Sequence, residues 1–217
     1  MFRKFLTLFF IFPALISCSG AILNVSRCGP DRLNTPDADA PNVVENIFGE
    51  PIQWSQNSFP IDVVIDSDMR SETRDIMIEA IEAWNRIVGL KVFTHQSGSQ
   101  TSEEGTIWVT QEPLLPNECD RQLFGLASRF YSYILGIRSS IHHSTIRMHT
   151  DVPSRRILST AIHELGHALG LQHDREISSI MYPFNLRARG GITEEDRLYV
   201  RNMASRGLNS HQSSLVI

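Results

Sequence analysis

The strongest constraint on the fold of this chain is one segment in its last third, where histidines and a glutamate stand at fixed spacings. From His163 to His173 the sequence reads His-Glu-Leu-Gly-His-Ala-Leu-Gly-Leu-Gln-His. Pro153 and Ser154 open a predicted helix over this region. The apolar residues of that helix recur at helical spacing: Leu158, Ile162, Leu165 and Leu169. At about 100° per residue this stripe points away from the histidines, so the sequence predicts one core face and one face toward a cleft.

The spacing of the polar residues in this segment suits a metal ion. His163 and His167 are one helical turn apart, so both imidazoles can reach the same tetrahedral ion. Glu164 lies beside them and can reach a metal-bound water without binding the metal. Gly170 is the expected end of the helix, after which His173 returns as the third ligand. The sequence therefore predicts one catalytic Zn²⁺, with an open fourth position for water and Glu164 as the catalytic base.

The segment from His163 to Asp174 resembles the zinc signature of the metzincin metallopeptidases and is most similar to the matrixin, or matrix metalloproteinase, branch. His-Glu-x-x-His alone is expected by chance in roughly one of 200 chains of this size, and the spaced glycine and histidine lower that by about 700-fold. The resemblance extends loosely over residues 50–206. It implies hydrolysis of peptide bonds in protein or peptide substrates by a zinc-bound water that Glu164 activates.

A second feature of the metzincin family is a turn beneath the metal that carries a methionine, the Met-turn. The run from Ser179 to Pro183 resembles it, and Met181 would be a soft apolar floor, not a ligand. The residues that the resemblance assigns to the pocket for the substrate side chain after the cleaved bond are Pro183, Phe184 and Asn185. The structural zinc and calcium sites of matrixins have no matching pattern here, and His142, His143 and His149 form no ligand spacing, so we expect them to be solvated or packed.

The rest of the chain predicts an α+β domain. Strands are predicted at Ile61–Ile65, Lys91–Gln96, Thr106–Gln111, Ala127–Leu135 and Ser144–His149. A helix is predicted at 71–88, with buried positions at Met77, Ile81, Trp84 and Val88. A last helix begins at Thr193, which forms a capping-box pattern with Asp196. The resemblance implies a twisted, mainly parallel sheet of about five strands on two helices, and a smaller C-terminal subdomain with the third histidine, the Met-turn and the last helix.

The N-terminus predicts export. Arg3 and Lys4 precede an apolar run at 5–16 that is too short to span a bilayer comfortably. The run closes on Leu-Ile-Ser-Cys, which resembles the lipobox of bacterial lipoproteins, so Cys18 is the predicted lipidation site; an ordinary signal peptide is the alternative. We therefore expect a signal peptide at 1–17, a lipid anchor and flexible tether at 18–42, a catalytic domain at 43–206 and a flexible tail at 207–217. Ser19 favours the outer membrane, with the domain facing the periplasm or the cell exterior.

The two other cysteines allow three interpretations. In an oxidising compartment Cys28 and Cys119 would form a disulfide, since Cys18 is assigned to lipid. The run around Cys28, from Arg27 to Asp31, also resembles a shortened matrixin cysteine switch, in which a thiolate blocks the zinc. Two free thiols are the third interpretation.

Composition narrows the class of partners. The chain of 217 residues has 41% hydrophobic residues, a formal net charge of −4 and a pI near 6.1. It has no basic run for nucleic acid, so we expect peptide substrates, a membrane held through the lipid anchor, and a monomer. Two alternatives stay open: a catalytically silent, lipid-anchored binding or zinc-holding protein of the same fold, and a hydrolase of non-peptide amides at the same zinc.

Overall fold

The structure is a computed structural model that describes residues 43, 45, 51–114, 124–134, 137–174, 176–182 and 191–214. Its strands are β1 (Gln53–Trp54), β2 (Ile61–Asp66), β3 (Phe93–Gly98), β4 (Thr106–Glu112), β5 (Gly125–Ile134) and β6 (Ile137–His149). Its α-helices are α1 (Ser71–Val88), α2 (Ser154–Leu169) and α3 (Glu194–Ser214). None of the helices in these ranges is long and apolar enough to cross a membrane.

The six strands form one open sheet that is mostly parallel. Strands β3, β2, β4 and β6 lie side by side in this order and are all parallel. The short β1 also pairs with β6, at Ser140 and Ile141, on the same edge of β6 as β4. Strand β5 pairs antiparallel with the other edge of β6. Strand β2 lies in the middle and buries four of its six residues, as expected for a parallel strand covered on both faces. The predicted fold class, a mainly parallel sheet packed on helices, is confirmed.

Helix α1 has the predicted bounds and the predicted core face. Met77, Ile81, Trp84 and Val88 are fully buried. Gly89 ends the helix in the left-handed conformation, with φ +72° and its N–H donated to the carbonyl of Asn85. The side chain of Asn85 then accepts the N–H groups of Val92 and Phe93, so the chain turns tightly before the next strand. This turn explains why β3 begins at Phe93 and not at the predicted Lys91.

Helix α2 is packed more completely than the sequence predicted. Leu165 and Leu169 are fully buried, but Leu158 and Ile162 are only half-buried. The core face runs through Ile157, Ala161, Leu165 and Ala168. The predicted stripe thus belongs to the core side, since Leu158 and Ile162 pack against the core, but the most buried face is shifted around the helix axis, and α2 contacts both α1 and β5. The histidine face is covered as well, and it is not an open cleft wall.

The remaining elements differ from prediction mainly at their ends. Strands β5 and β6 begin before the predicted Ala127 and Ser144, because they pair with each other as one long antiparallel ladder. Helix α3 is capped as predicted, with the N–H of Asp196 donated to Thr193 Oγ1 at 3.1 Å. It runs to Ser214. The predictions for Cys18, Cys28, Cys119, the N-terminal tether and the pocket residues 183–185 lie outside the described residues.

The core on α1 allows a matched test of burial. Ile81 is fully buried whereas Ile87, on the same helix, is 39% exposed. Replacing Ile81 with Ala should lower the free energy of unfolding by about 2 to 5 kcal/mol, the usual cost of a core cavity. The same change at Ile87 should cost about 0.5 kcal/mol or less. Urea denaturation of both variants measures the difference, and equal costs would contradict the described packing.

Candidate metal centre

Three histidines from helix α2 and the loop that follows it converge on one point. One ring nitrogen from each of the three lies within 4.8 Å of the other two, and no other group of three or more His, Cys, Asp or Glu among the described residues could hold a metal. The ring centroids of His163 and His167 are 4.6 Å apart, and that of His173 lies 5.4 Å and 4.8 Å from them. His163 and His167 are 7% and 6% exposed, while His173 is nearer the surface. Three histidine ligands would leave the fourth position of a tetrahedral ion for water or substrate, as in catalytic zinc sites.

Backbone carbonyls fix the two helical histidine rings. The Nδ1 atom of His163 lies 2.7 Å from the carbonyl oxygen of Ile180, and that of His167 lies 2.9 Å from the carbonyl oxygen of Leu171. A carbonyl oxygen only accepts, so each Nδ1 carries the proton and each Nε2 keeps its lone pair. Such hydrogen bonds set the tautomer and the orientation of metal-binding histidines. The Nε2 atoms are therefore the nitrogens that present a lone pair to a metal.

A glycine turn ends α2 and brings the third histidine back. Gly170 has φ +108°, and its N–H is donated to the carbonyl of His167 at 3.0 Å. The N–H of Leu171 is donated to the carbonyl of Gly166 at 3.1 Å, which completes a Schellman motif. This turn places the Leu171 carbonyl against the His167 ring and directs the chain toward His173. The turn predicted at Gly170 is confirmed.

The turn that carries Met181, which the sequence predicts as a Met-turn, lies directly under helix α2. A Cβ atom built on Gly166 would come within 2.5 Å of the Met181 sulfur and 3.3 Å of the Trp84 ring, so only glycine fits at this crossing. Met181 is fully buried, and its carbonyl accepts the N–H of Asp174 at 3.0 Å. The loop between the third histidine and Met181 is thus closed by its own backbone. The side chain of Asp174 accepts the N–H of Glu176, so this residue stabilises the loop.

Glu164 projects between the histidines and the first residues of strand β5. It is 3% exposed, and the backbone N–H of Ala127 is hydrogen-bonded to its carboxylate. A Cβ atom on Gly125 would come within 2.6 Å of the Glu164 side chain, so glycine is needed where β5 passes the carboxylate. Its Oε2 atom is buried and has no hydrogen-bond partner within the described ranges. A buried carboxylate oxygen without a partner is costly, which indicates that a further group completes this site.

Burial sets the protonation of the site. It raises the pKa of Glu164 to about 8, against the opposing effects of the Ala127 N–H and of the Arg129 charge. Burial also lowers the pKa of His163, shifts that of His167 well below its usual value, and lowers that of His173 to about 3. All three imidazoles are therefore neutral near pH 7, the form that binds metals. A bound dication would lower the pKa of Glu164, because opposite charge favours the carboxylate.

Two residues that the sequence analysis missed hold the C-terminal end of α2. Arg129, on β5, is 4% exposed, and its guanidinium donates hydrogen bonds to the carbonyls of His167 and Leu171 at 2.8 Å and 3.3 Å. Trp54, on β1, donates from Nε1 to the carbonyl of Ala168 at 2.8 Å. The last carbonyls of a helix lack intrahelical donors, and the cation also suits the negative end of the helix dipole. The sequence signal that could have identified this role is an Arg within a predicted strand, at position 129.

The other histidines on β6 lie elsewhere. His142 is paired with Glu104 at 3.4 Å, and His143 stacks on the ring of Phe130 with centroids 4.2 Å apart. His149 is buried, and its Nδ1 accepts the N–H of Asp151. None of them belongs to the triad of His163, His167 and His173.

The residues of the triad fit zinc. Zinc accepts imidazole nitrogens in a tetrahedral site, and three histidines with one open position are a known catalytic set. The neutral rings, the oriented Nε2 atoms and the carboxylate oxygen without a partner agree with this chemistry. The three histidines are therefore able to hold one metal ion. The Glu164 carboxylate is placed to contact a water or substrate group beside that ion.

Comparisons with known proteins identify the family of this chain and a structure to which it is similar. The sequence profile of the matrixin family matches residues 53–203. Among solved structures, 56 chains are significantly similar. One is high choriolytic enzyme 1, a hatching enzyme zinc-protease from Oryzias latipes (medaka fish), with 13% identity, a TM-score of 0.46, and coverage of 76% of this chain and 99% of that one. No curated protein sequence matches significantly.

The glycine turn offers a test of ligand positioning. Replacing Gly170 with Ala forces a side chain into φ +108°, with its Cβ 3.3 Å from the Ile52 carbonyl. We expect a loss of about 1 to 3 kcal/mol in the free energy of unfolding, and zinc affinity weaker by about 10- to 100-fold, since the Leu171 carbonyl and His173 move. Chemical denaturation and competition with a chromophoric chelator measure the two quantities.

The control for this change is Gly105→Ala. Gly105 also has a positive φ, +82°, but a Cβ there would meet nothing closer than 3.9 Å, and the residue lies outside the metal centre. It should lower stability through backbone strain and leave zinc affinity unchanged. Equal zinc affinities in the two variants would show that the Gly170 turn does not position the ligands.

Proposed function

This chain belongs to the matrixin family, and from that premise we propose that it is a zinc-dependent endopeptidase in which Glu164 transfers the protons. Membership in the family supports a zinc metallopeptidase function at the coarser level. The finer proposal concerns which residues bind the metal and which one moves protons. The ligands would be His163, His167 and His173.

The observation that carries the proposal is the unpartnered carboxylate beside the triad. Glu164 Oε2 is buried without a hydrogen-bond partner in the described part of the chain, whereas its neighbours His163 and His167 each have one at Nδ1. A carboxylate that served only packing would be expected to have both oxygens satisfied. One that receives a water or a substrate amine keeps an oxygen available. The geometry therefore favours a reacting group over a structural one.

The separate roles of the histidines and of Glu164 follow from the chemistry of their side chains. Zinc, when bound, supplies a Lewis acid that polarises a carbonyl group and lowers the pKa of bound water to about 7. The neutral histidines hold the ion and cannot easily take up a proton, because burial lowers their pKa values. Glu164 is left as the proton carrier. It would accept a proton from the attacking water and return it to the leaving amine as the peptide bond breaks.

The position of strand β5 favours a peptide as the substrate. It pairs with β6 along one edge, and its Ala127 N–H points from the other edge to Glu164. Among the described strands only β6 pairs with β5, and a peptide in extended conformation could add along the other edge as a further strand, with backbone hydrogen bonds that do not depend on sequence. Its scissile bond would then lie between Ala127 and the triad. An endopeptidase needs this kind of backbone recognition on both sides of the bond.

The location of the enzyme is a separate part of the proposal. The Leu-Ile-Ser-Cys boundary at Cys18 and the Pro-, Asp- and Asn-rich stretch at 29–42 support a domain held to a bacterial membrane by a lipid and a flexible tether. Such a tether would keep the site within reach of peptides near the membrane surface. The proposal for the metal centre does not depend on it.

Replacing Glu164 with Gln tests the proton carrier. Gln keeps the volume and polarity of the side chain but cannot accept the proton, so kcat should fall by at least about 10² to 10⁴. Zinc content should stay near one ion per chain, because Glu164 is not a ligand. Cleavage of a quenched fluorescent peptide and elemental analysis measure the two quantities. Glu79→Gln, on the exposed face of α1, is the control and should behave as wild type. A Glu164→Gln protein with near wild-type kcat would refute the proposed role.

Replacing His173 with Ala tests the third ligand. The change removes one of three protein ligands, so zinc should be lost or bound far more weakly, and activity should disappear with it. The control is His143→Ala, which removes a histidine that stacks on Phe130 away from the triad. The control should keep both zinc and activity. Full zinc content in the His173 variant would show that this histidine is not a ligand.

A further inference from the structure

Arg156 lies on the histidine face of α2 and has no role in the metal centre. It precedes His163 by seven residues, which is two helical turns, so both side chains leave the same face of the helix. Its guanidinium carbon lies 5.3 Å from the centroid of the Phe124 ring. Phe124 comes directly before Gly125, the residue that touches Glu164. A positive charge is thus held next to the place where β5 enters the active site.

We propose that Arg156, held on Phe124, forms a subsite that selects peptides with a carboxylate side chain on the carboxyl-terminal side of the cleaved bond. This inference rests on the proposed endopeptidase function, and it names a class of substrate for it. The proposal requires three conditions: the charge of Arg156 is available, its position is fixed, and a substrate side chain lies next to it.

The charge of Arg156 is available. Within the described ranges its guanidinium forms no ion pair with a carboxylate, whereas Arg147 and Arg197 are paired with Glu112 and Glu194. The first turn of α2 contains no acidic residue. A cation in the first turn of a helix is unfavourable because of the helix dipole, so Arg156 is not there to stabilise α2. Both the side chain and the helix N-terminus therefore attract an anion.

The position of Arg156 is fixed by the aromatic ring. A guanidinium over a ring face is attracted by the ring quadrupole and keeps its charge and its hydrogen-bond donors. Arg156 and Phe124 are both half-buried, which reduces screening by water compared with a fully exposed side chain. Phe124 is in turn held by its backbone, since its carbonyl accepts the N–H of His149 at 2.9 Å. The subsite is therefore built before any substrate arrives.

The direction of the chain at the site places a substrate side chain beside it. Along β5 the chain passes Glu164 at Gly125 and then reaches the C-terminal end of α2 at Arg129. A peptide that adds to the edge of β5 opposite β6 in the antiparallel sense, the slightly more stable pairing, runs the opposite way. Residues before the cleaved bond then lie toward Arg129. Residues after it lie toward Phe124 and Arg156.

The test compares peptides that differ at one residue at a time. Zinc-loaded protein is given quenched peptides with Glu, Gln or Lys at each of the first three positions after the cleaved bond. At one of these positions Glu should raise kcat/KM by about 3- to 10-fold over Gln, and Lys should lower it, as expected for a partly buried ion pair. The preference should shrink as salt is added, because ions screen the pair.

Matched variants assign the preference to Arg156. Arg156→Gln should remove it, and Arg156→Glu should reverse it in favour of Lys. Arg155→Glu makes the same change of charge one position away, at an exposed residue on a different face of the helix, and should keep the preference for Glu. Rates on the Gln peptides report whether each variant still folds and cleaves.

The outcomes separate this inference from the proposed function. Cleavage by wild type without any preference for Glu, or a preference that survives Arg156→Gln, overturns the subsite and leaves the endopeptidase intact. A preference that Arg155→Glu removes as fully as Arg156→Glu also overturns it, since only the general charge would matter. Cleavage of no peptide at all overturns the proposed function and the subsite with it.

Discussion

The metal centre depends on two hydrogen bonds that aim histidine side chains at one point. His163 and His167 hold their Nδ1 protons against the carbonyls of Ile180 and Leu171. Neither carbonyl belongs to α2, so the rings are oriented only if the chain turns at Gly170 and passes back under the helix. The Ile180 N–H is in turn bound to the carbonyl of Gly191, just before α3. The turn at Gly170 and the turn that contains Ile180 thus hold the two carbonyl oxygens in place.

The sheet supplies the other half of the site. Strand β5 closes over the histidine face of α2, and glycine at 125 lets it approach the carboxylate of Glu164. This closure removes water, keeps the imidazoles neutral and raises the pKa of the carboxylate. Arg129 partly offsets the cost of burying that carboxylate and binds the end of α2. Burial and positioning therefore come from the same strand.

Much of this arrangement could be predicted from local patterns. The helical period gave α1 its bounds and its core residues, and the spacing of the histidines with Gly170 predicted their convergence, because these features depend on residues close in sequence. The most buried face of α2 is shifted around the helix axis from the predicted stripe, because tertiary packing covers both of its faces. Arg129, Trp54 and Gly125 were missed because their roles depend on contacts between elements far apart in the chain. Nothing local marks a strand as short as β1, and the pairing of Cys28 with Cys119 stays a prediction.

The most direct test of the central claim is the digestion of a peptide library by the purified protein, read by mass spectrometry. The account predicts cleavage at internal peptide bonds, loss of cleavage when a chelator removes the metal, and recovery when zinc is restored. It also predicts that the metal-free protein remains folded enough to rebind zinc, because the ring orientations are set by the backbone. Internal cleavage that persists unchanged in excess chelator, or zinc-loaded protein that cleaves no peptide, would contradict the account.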